Sequence, residues 1–284
     1  MNTLTYDVVI LGTGPAGLSA AVAARGRGKK VLVLGKRWQD SPLAKAERVD
    51  NYLGMPNMTG AEMMEQFEKH ALDMGAELVL GRVDAVMAFD GFHVTVGTEI
   101  YQGKTLILAP GVVRQTKYAR EDTYLGRGVS YCATCDGMLY RGKEVVVVGR
   151  SSEAPHEAAY LQQIGCHVTY VASKRPDTLP EQIPFVQGNR LEIQGEQTVT
   201  GLVVDGTVIP CQGVFILREA VAPDDLVVGL QVEKGVIQVD RNMSTGVEGV
   251  FAAGDCTGEP LQISKAVGEG LIAGLSAAQY CDNH

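Results

Sequence analysis

The beginning of the chain combines a buried strand, a glycine-rich turn and a helix. Residues 6–11, Tyr-Asp-Val-Val-Ile-Leu, read as a parallel strand, and the alanine-rich stretch from Leu18 to Ala24 predicts a helix. Between them stands Gly12-Thr13-Gly14-Pro15-Ala16-Gly17. In the order strand, G-x-G-x-x-G, helix, the glycines allow the backbone to approach a pyrophosphate at the helix N-terminus. The chain is therefore predicted to begin with a dinucleotide-binding unit of an α/β fold.

The next strand bears on which dinucleotide is bound. It runs from Lys30 to Leu34 and ends at Gly35, where an NAD site usually has an aspartate or glutamate that binds the ribose. The absence of that acid disfavours NAD. It is compatible with FAD, held by the backbone and by neighbouring groups.

The length of 284 residues suits two domains with cores of their own. A helix from Ala61 to Met74 carries methionines near helical spacing, which we interpret as core residues. A β-meander is predicted over 78–101, followed by an apolar strand from Lys104 to Ala109. The first crossing between domains is expected at Pro110 to Lys117.

Two later segments matter for the fold and the site. A strand is predicted from Leu226 to Leu230. Residues 249–255, Gly-Val-Phe-Ala-Ala-Gly-Asp, predict an apolar strand that ends in an acid and precedes a helix from about Ile263 to Tyr280. An acid at a strand end facing a helix is well placed to bind sugar hydroxyls.

A second nucleotide-binding unit is present in altered form. The strand Val145-Val146-Val147-Val148 leads to Gly149, but the segment Arg150 to Pro155 keeps no further glycine. The side chain of Ser151 and the acids Glu153 and Glu157 would oppose a pyrophosphate. This unit is predicted to keep the nucleotide-binding fold without the nucleotide.

Charge and composition restrict the partners and the compartment. The net charge of −8 and the isoelectric point near 5.2 argue against a nucleic-acid partner. Between Arg25 and Arg48, however, eight bases stand against two acids. This stretch is either a solvated surface or a docking surface for an acidic partner. No signal peptide and no membrane-spanning apolar run are recognised, and six cysteines are too few for a disulfide scaffold, so a cytoplasmic location is expected.

Two cysteines stand three apart in Tyr131-Cys132-Ala133-Thr134-Cys135-Asp136-Gly137. A zinc site would need a second pair of thiols or imidazoles, and neither the five histidines nor the remaining cysteines pair at ligand spacing. A redox dithiol needs only two close thiols, one of low pKa, and a group such as Asp136 to move protons. The segment is therefore interpreted as a redox pair. The remaining cysteines stand singly at Cys166, Cys211, Cys256 and Cys281.

The segments Gly12 to Gly17, Cys132 to Asp136 and Phe251 to Asp255 occur in the order and spacing of the low-molecular-weight thioredoxin reductase family, which the chain resembles over nearly its whole length. The resemblance implies an α/β fold of two Rossmann-like three-layer domains, the pyridine nucleotide-disulfide oxidoreductase type. It implies an FAD-binding domain from residues 1–113 and 241–284, and a central domain from 114–240 that carries the dithiol. Thioredoxin as partner and a homodimer are implied in the same way.

The resemblance also implies roles for individual residues. Cys135 would face the flavin, Cys132 would attack the partner disulfide, and Asp136 would be the acid/base. Reduced flavin would deliver two electrons to the disulfide, and the resulting thiolate would exchange with the disulfide of a second protein. Contacts with FAD are implied for Gly12, Gly14, Pro15, Ala16, Gly17, Gly35, Asn51, Val83, Ala109, Gly254, Asp255 and Gln262.

Three segments depart from the family where NADPH binds. The second glycine fingerprint reads Gly149-Arg150-Ser151-Ser152-Glu153-Ala154, the basic cluster for the 2′-phosphate reads Ala172-Ser173-Lys174-Arg175, and the later Ala-Ile-Gly stretch is replaced over 215–219. Three altered segments argue that NADPH is not the reductant. The chain resembles the NADPH-independent branch, in particular the ferredoxin-dependent flavin thioredoxin reductases. Ferredoxin is thus the expected electron donor, and the basic stretch is a candidate surface for it.

Three other functions stay open from the sequence. One is an NADPH-dependent thioredoxin reductase with a divergent nucleotide site, for which Lys174 and Arg175 would hold the phosphate. A second is a flavin dithiol oxidase that passes electrons from thiols to oxygen. A third is a flavin-binding redox sensor without turnover.

Overall fold

A computed structural model describes residues 4–112, 117–219 and 221–284. The chain divides into two compact units, which are described separately: unit 1 comprises 1–114 and 222–284, and unit 2 comprises 115–221. The expected first crossing, Pro110 to Lys117, lies partly outside the described residues.

The first strands of unit 1 form a sheet in the order β3-β2-β1-β6-β5-β4. Strands β1, β2, β3 and β6 are parallel, whereas β4 and β5 form the predicted antiparallel meander with β6. Strand β6 is continuous through the two short strands expected at 99–101 and 104–109, because both halves pair with β1 in one register. The strands are β1 (Leu4–Leu11), β2 (Val31–Gly35), β3 (Glu77–Leu80), β4 (Val83–Ala88), β5 (Phe92–Val96) and β6 (Glu99–Leu108).

Two helices accompany these strands, α1 (Pro15–Gly26) and α2 (Gly60–Asp73), and Trp38–Asp40 forms a single 3-10 turn. Helix α2 begins with a capping box in which Thr59 and Glu62 bond each other's backbone amides. Met63 and Met64 are fully buried, as expected of core residues, whereas Met74 after the end of the helix is 37% exposed.

Unit 2 contains a second parallel sheet in the order β10-β9-β8-β14-β7 and a small antiparallel sheet of β11, β12 and β13. A 3-10 turn, Gly137–Tyr140, follows the segment with the cysteines. The helices are α3 (Glu121–Tyr124), α4 (Ala133–Asp136) and α5 (Ala154–Gln163). The strands are β7 (Val129–Ser130), β8 (Glu144–Arg150), β9 (His167–Ala172), β10 (Phe185–Gln187), β11 (Leu191–Gly195), β12 (Val199–Val204), β13 (Thr207–Pro210) and β14 (Gly213–Arg218).

The chain returns to unit 1 with α6 (Pro223–Leu226), β15 (Val232–Glu233), β16 (Val236–Ile237), β17 (Val250–Ala252) and α7 (Ile263–Asn283). The prediction of a strand from Leu226 to Leu230 was wrong. Pro223 stands in the first turn of α6, two acids follow it, and a turn then brings the apolar side chains of Val227 and Leu230 to the core without strand pairing.

The second boundary between the units lies at Val221/Ala222, whereas the sequence suggested 240/241. Residues 222–240 belong with the first unit because their apolar side chains pack in its core. Val227, Leu230 and Ile237 are buried in one cluster with Leu106 and Leu108 of β6.

Strand β17 pairs in parallel with the end of β6, so the carboxyl ends of β1, β2, β6 and β17 lie at one edge of the sheet. Helices α1 and α7 pack very closely. Any side chain at Gly270 or Gly274 would collide with the backbone oxygens of Ala16 and Ala20. The two parallel sheets, with helices between their strands, confirm the predicted α/β class. Within the described ranges, no helix combines the length and hydropathy needed to cross a bilayer.

Candidate dithiol and flavin sites

The two cysteines of the C-x-x-C segment form a disulfide in unit 2, with 5.3 Å between their Cα atoms. Cys132 precedes the four-residue helix α4 and Cys135 lies within it. The Cys135 amide donates a hydrogen bond to the Cys132 sulfur over 3.0 Å. The helical turn thus holds both sulfurs together, as the spacing predicts.

The two sulfur-bearing residues differ in accessibility. Cys132 is only 5% exposed, whereas Cys135 is exposed. Two apolar side chains that follow in the 3-10 turn, Met138 and Leu139, are 57% and 69% exposed. Cys135 therefore lies in a segment whose exposed apolar side chains are available to a partner.

The backbone around Cys132 is fixed from two sides. The Ser130 hydroxyl accepts a hydrogen bond from the Cys132 amide at 3.1 Å and lies 3.2 Å from its carbonyl oxygen, to which it donates. On the other side, the Glu157 carboxylate lies 3.4 Å from the Ala133 amide nitrogen.

Asp136, the predicted acid/base, is the last residue of α4 and half-buried. Its amide donates to the Cys132 carbonyl oxygen over 3.3 Å, so it belongs to the same turn as both cysteines. Burial raises the pKa of the nearby Tyr140 hydroxyl, and the charge of Asp136 raises it further. The role of Asp136 as acid/base stays a prediction.

In unit 1, the glycine-rich turn joins β1 to α1. Gly12 adopts a φ of +131°, and a side chain there would collide with the Ala109 carbonyl. A side chain at Gly17 would collide with the Gly12 carbonyl. These glycines are thus required by close packing of the strand end against the helix, and Ala109 lies against the turn.

The start of α1 fits a pyrophosphate. Gly14 is the N-cap residue and gives no side-chain bond to the helix amides, and the first turn contains no acidic residue. No atom lies within 4 Å of the position that a Cβ would take at Gly14. Pro15 and Ala16 follow as the first helical residues. Amides at a helix start without a capping side chain are suited to an anion, and FAD carries one in its pyrophosphate.

The residues that follow β17 contact the start of α1, next to the same glycine-rich turn. A Cβ at Gly254 would lie 2.8 Å from the Ala16 Cβ, so Gly254 packs directly on the start of α1. Asp255 follows at the beginning of a short 3-10 helix. Burial raises the pKa of its carboxyl; the charge of Lys265 opposes this and that of Glu269 adds to it.

The other predicted flavin residues fall into two further groups. Asn51 donates its side-chain amide hydrogen to the Gln262 oxygen over 3.0 Å, so these two residues are brought together although they are far apart in sequence. At the end of β2, Gly35 packs against Thr13 of the glycine-rich turn, and its carbonyl accepts from the Gly81 amide, two residues before Val83. The structure thus gathers the predicted residues into contiguous groups, and their roles toward FAD stay proposals.

Sequence reasoning missed two residues that hold the Gly254 turn. Lys265 donates to the carbonyl oxygens of Gly254 and Gly258, each over 2.7 Å, and pairs with Glu269 at 3.1 Å. Glu269 in turn accepts from the Gly254 amide at 2.9 Å and from the Thr257 hydroxyl at 2.7 Å. Lys and Glu four apart at the start of a helix are a common surface pattern, so no signal distinguished them in the sequence.

The degenerate nucleotide site of unit 2 is filled by the protein itself. A Cβ at Gly149 would collide with the hydroxyl and ring of Tyr170, which is 1% exposed. Tyr170 comes from β9, the strand beside β8. The space beside the one surviving glycine is therefore occupied by a side chain.

A buried cluster of charged and aromatic side chains lies at the carboxyl ends of β8 and β14. Arg218 binds both carboxylate oxygens of the fully buried Glu121, each over 2.7 Å. The Tyr131 hydroxyl also donates to Glu121 over 2.8 Å, and Arg150 donates to the Tyr118 hydroxyl over 2.7 Å. We call these five residues the Glu121 cluster. In open α/β sheets this edge is where a nucleotide binds.

The start of α5 is occupied as well. The Ser151 hydroxyl accepts from the Ala154 amide at 3.2 Å, and the Glu219 carboxylate accepts from the Ser152 amide at 3.0 Å. Amides that would face a pyrophosphate thus bond to the protein's own oxygens. Lys174 and Arg175 follow β9, and Arg175 donates to the Pro180 and Ile183 carbonyls.

The basic stretch from Arg25 to Arg48 does not form one surface. Arg25 donates to the Met74 and Lys29 carbonyls, and Lys29 pairs with Asp282. These two bases precede β2, whereas Lys36 and the bases after it follow β2 at its other end. The bases of the stretch are thus divided between the two ends of one strand.

The four single cysteines are buried. Burial raises the pKa of the Cys211 and Cys256 thiols to about 12, and it also raises the pKa of Cys166 and Cys281. Within the described residues, no group of three or more histidine, cysteine or acidic side chains could hold a metal ion.

Comparison with known proteins identifies the family. Residues 6–270 match the family described as pyridine nucleotide-disulphide oxidoreductase. A thioredoxin reductase from Listeria innocua is 33% identical over 302 residues, 98% of this chain and 94% of that protein. One from Treponema pallidum is 34% identical over 301 residues, 98% of this chain and 97% of that protein.

Solved structures agree with the sequence relatives. A ferredoxin-flavin thioredoxin reductase from Clostridium acetobutylicum matches with a TM-score of 0.88 and 38% identity, covering 100% of both chains. An atypical thioredoxin reductase from Desulfovibrio vulgaris Hildenborough matches with a TM-score of 0.75 and 32% identity, covering 98% of both chains. The chain therefore belongs to the pyridine nucleotide-disulphide oxidoreductase family, as a thioredoxin reductase-like flavoprotein oxidoreductase with FAD as its cofactor.

Proposed function

We propose that the protein is a flavin-dependent thiol-disulfide oxidoreductase that reduces thioredoxin through Cys132 and Cys135, with ferredoxin rather than NADPH as its electron donor. The observation that carries the proposal is the occupation of the second nucleotide site by Tyr170 and the Glu121 cluster. The clustering of the predicted flavin residues in unit 1 supports the flavin-binding part.

The argument against NADPH rests on space and charge. Tyr170 fills the space beside Gly149, the position of the first glycine of the fingerprint, which forms the tight turn before the helix. Glu219 places a carboxylate at an amide of the turn before α5, where it would repel phosphate oxygens. The Glu121–Arg218 pair is buried, and opening it would leave a carboxylate without its counter-charge in a low-dielectric environment. Binding NADPH at this edge would compete with the contacts that these side chains make.

In this proposal the dithiol passes the electrons to the protein substrate. When bound, FAD supplies the two electrons that break the bond between the Cys132 and Cys135 sulfurs. Cys135, the exposed residue of the pair, is proposed to face the flavin, and Cys132 to attack the disulfide of thioredoxin. Asp136, in the same turn, is proposed to move the protons. The exposed side chains of Met138 and Leu139 suit contact with a protein substrate.

Residues of unit 1 would hold the cofactor. The glycine-rich turn and the open start of α1 would bind the pyrophosphate, with Gly35, Val83 and Ala109 nearby. Asp255 would bind the ribityl hydroxyls. Asn51 and Gln262, which bond each other, would lie at the ring system.

Ferredoxin is proposed as donor because the relative from Clostridium acetobutylicum carries it in its name and shares the fold over the full length. The basic residues that follow β2, Lys36, Arg37 and Lys45, are exposed and could meet an acidic protein. This is a smaller surface than the eight bases of the sequence suggested. The homodimer and the cytoplasmic location stay predictions.

The proposal is tested by reconstituting the whole reaction with the holoprotein. Reduced ferredoxin and oxidised thioredoxin are supplied anaerobically, and thioredoxin thiols are counted. Thiols are expected with reduced ferredoxin and not with NADPH, and Cys132→Ser is expected to abolish them while FAD stays bound. Failure of ferredoxin to support reduction would contradict the donor, and unchanged turnover in Cys132→Ser would contradict the dithiol route. Rapid consumption of oxygen with dithiol substrates would favour the oxidase instead.

A further inference from the structure

A half-buried glutamate lies beside the dithiol segment and has no part in the redox roles proposed so far. Glu157, in the first turns of α5, places its Oε2 atom 3.4 Å from the Ala133 amide nitrogen. That amide follows Cys132 directly in the chain. The other carboxylate oxygen, Oε1, exposes less than 1 Å² to solvent. At 3.4 Å the hydrogen bond is long and weak, but a charge acts through space and needs no ideal hydrogen-bond geometry.

Helix α5, which carries Glu157, packs closely on the segment that carries the dithiol. Helix α5 lies against the turn that follows α4, because a Cβ at Gly137 would come within 2.8 Å of the Leu161 side chain and 2.9 Å of the Ile164 side chain. Gly137 is buried. The backbone of α5 that carries Glu157 is therefore held close to the dithiol segment.

Other ionisable groups lie on the elements next to Glu157 and the dithiol. Asp136 ends α4, Tyr140 lies in the following 3-10 turn, and Arg150 ends β8. Burial raises the pKa of Tyr170 to about 12; Arg150 lowers it and Glu157 raises it, which places the Glu157 charge near β9 as well. The neighbouring cation, Arg150, also bonds to Tyr118 within the Glu121 cluster.

Reduction of the disulfide changes the charge at this point. The sulfur-sulfur bond breaks, each sulfur receives one electron, and each then either takes a proton or stays a thiolate. The electrons come from reduced flavin in the enzyme or from a dithiol in a test tube. A thiolate on Cys132 would be nearly buried, and the Glu157 carboxylate lies at the amide of the next residue, so both desolvation and charge repulsion oppose it.

We propose that Glu157 is a positioning residue that controls the protonation of the reduced dithiol: it disfavours a thiolate on Cys132, so that reduction takes up two electrons and two protons at neutral pH. The proposal rests on the redox role proposed above for the two cysteines. It predicts that removal of the carboxylate charge lowers the pKa of the Cys132 thiol and favours the reduced form.

The first test measures that pKa directly. In the Cys135→Ser background, the rate at which iodoacetamide alkylates Cys132 is followed as a function of pH, with and without Glu157→Gln. The glutamine keeps the size of the side chain and removes its charge. Because a neighbouring negative charge disfavours a thiolate, the midpoint is expected to fall when the charge is removed, by about one unit. Glu153→Gln, at an exposed acid one turn earlier, is the matched control and is expected to leave the midpoint unchanged.

A second variant guards against a folding defect. Glu157→Asp keeps the charge but shortens the side chain, and its midpoint is expected to fall between those of the parent and Glu157→Gln. Alkylation profiles of the parent and Glu157→Gln that superimpose would overturn the proposal. So would an equal shift in Glu153→Gln, because the effect would then belong to net charge rather than to this contact.

The second test uses the protein with both cysteines and its bound flavin. The Cys132–Cys135 disulfide is equilibrated with reduced and oxidised dithiothreitol at a pH between the two midpoints found by alkylation. Glu157→Gln is expected to shift the equilibrium about threefold toward the reduced form, which corresponds to about 15 mV. At a pH well below both midpoints found by alkylation, the difference should vanish. A pH-independent shift, or none, would contradict the proposal. Neither test contains ferredoxin or thioredoxin, so failure here is distinct from failure of the reconstituted reaction.

Discussion

The Tyr170 hydroxyl occupies the place that a side chain at Gly149 would need. Gly149 ends the apolar part of β8, where related folds admit a nucleotide, and Tyr170 reaches it from β9. A glycine at this position would ordinarily indicate close approach of a ligand. Here it is explained by the close approach of a tyrosine from the same sheet.

Gly149→Ala is therefore expected to destabilise the protein. The added methyl group has no room between β8 and Tyr170, and overpacking of a buried site typically costs about 1–3 kcal/mol of unfolding free energy. Urea unfolding followed by circular dichroism measures the change. Gly26→Ala is the control, because no atom lies within 4 Å of its Cβ position. Equal stabilities of the two variants would contradict the packing described for Tyr170.

Arg218→Met is expected to be strongly destabilising. It removes the counter-charge of Glu121, whose side chain is fully buried, and loss of one partner of a buried pair costs about 3–5 kcal/mol. Lys69→Met removes one partner of the exposed Lys69–Asp73 pair and should cost less than about 1 kcal/mol. Chemical unfolding of both variants provides the comparison. Similar losses in both would show that the Glu121 cluster does not stabilise unit 2.

Lys265→Met should loosen FAD while leaving the fold in place. Lys265 holds the Gly254 and Gly258 carbonyls and pairs with Glu269, so its loss frees the turn that carries Asp255. A rise of about tenfold in the Kd for FAD is expected, equivalent to the loss of about 1.4 kcal/mol. Fluorescence titration of the flavin-stripped protein measures it, with Lys69→Met as the charge-matched control. An unchanged Kd would show that Lys265 does not support FAD binding.

Thiol labelling should separate the dithiol from the other cysteines. The thiolate is the reactive form, and burial raises the pKa of Cys211 and Cys256 to about 12, so these thiols are protonated at pH 8. After mild reduction, iodoacetamide at pH 8 is expected to label two cysteines of the native protein and all six in urea. Mass spectrometry should assign the two to Cys132 and Cys135. Rapid native labelling of Cys256 would contradict its placement in the core.

The elements that local sequence could predict are those built from adjacent residues. The turn from Gly12 to Gly17 and the spacing of Cys132 and Cys135 each form one local structure, so the α/β class and the disulfide followed from their order. The Arg218–Glu121 pair joins residues 97 positions apart, and no local sequence pattern near either residue predicts the contact. The same limit hid the contact of Tyr170 with Gly149.

The basic stretch shows the opposite error. Its residues are neighbours in sequence, but β2 extends between Lys30 and Lys36 and carries them to different ends of the sheet. The two compact units divide at Val221/Ala222 rather than at 240/241 for a related reason. The apolar residues Val227, Leu230 and Ile237 are separated by turns, so no periodic pattern in the sequence links them to β6.

The central claim is that NADPH is not the reductant of this flavoprotein, and anaerobic mixing of the holoprotein with NADPH tests it most directly. Flavin absorbance near 450 nm, the ordinary band of an oxidised flavin, is followed in a stopped-flow instrument after mixing with an excess of NADPH. Reduced ferredoxin serves as the positive control. We predict that NADPH leaves the absorbance unchanged while reduced ferredoxin bleaches it. Rapid, stoichiometric bleaching by NADPH would contradict the account.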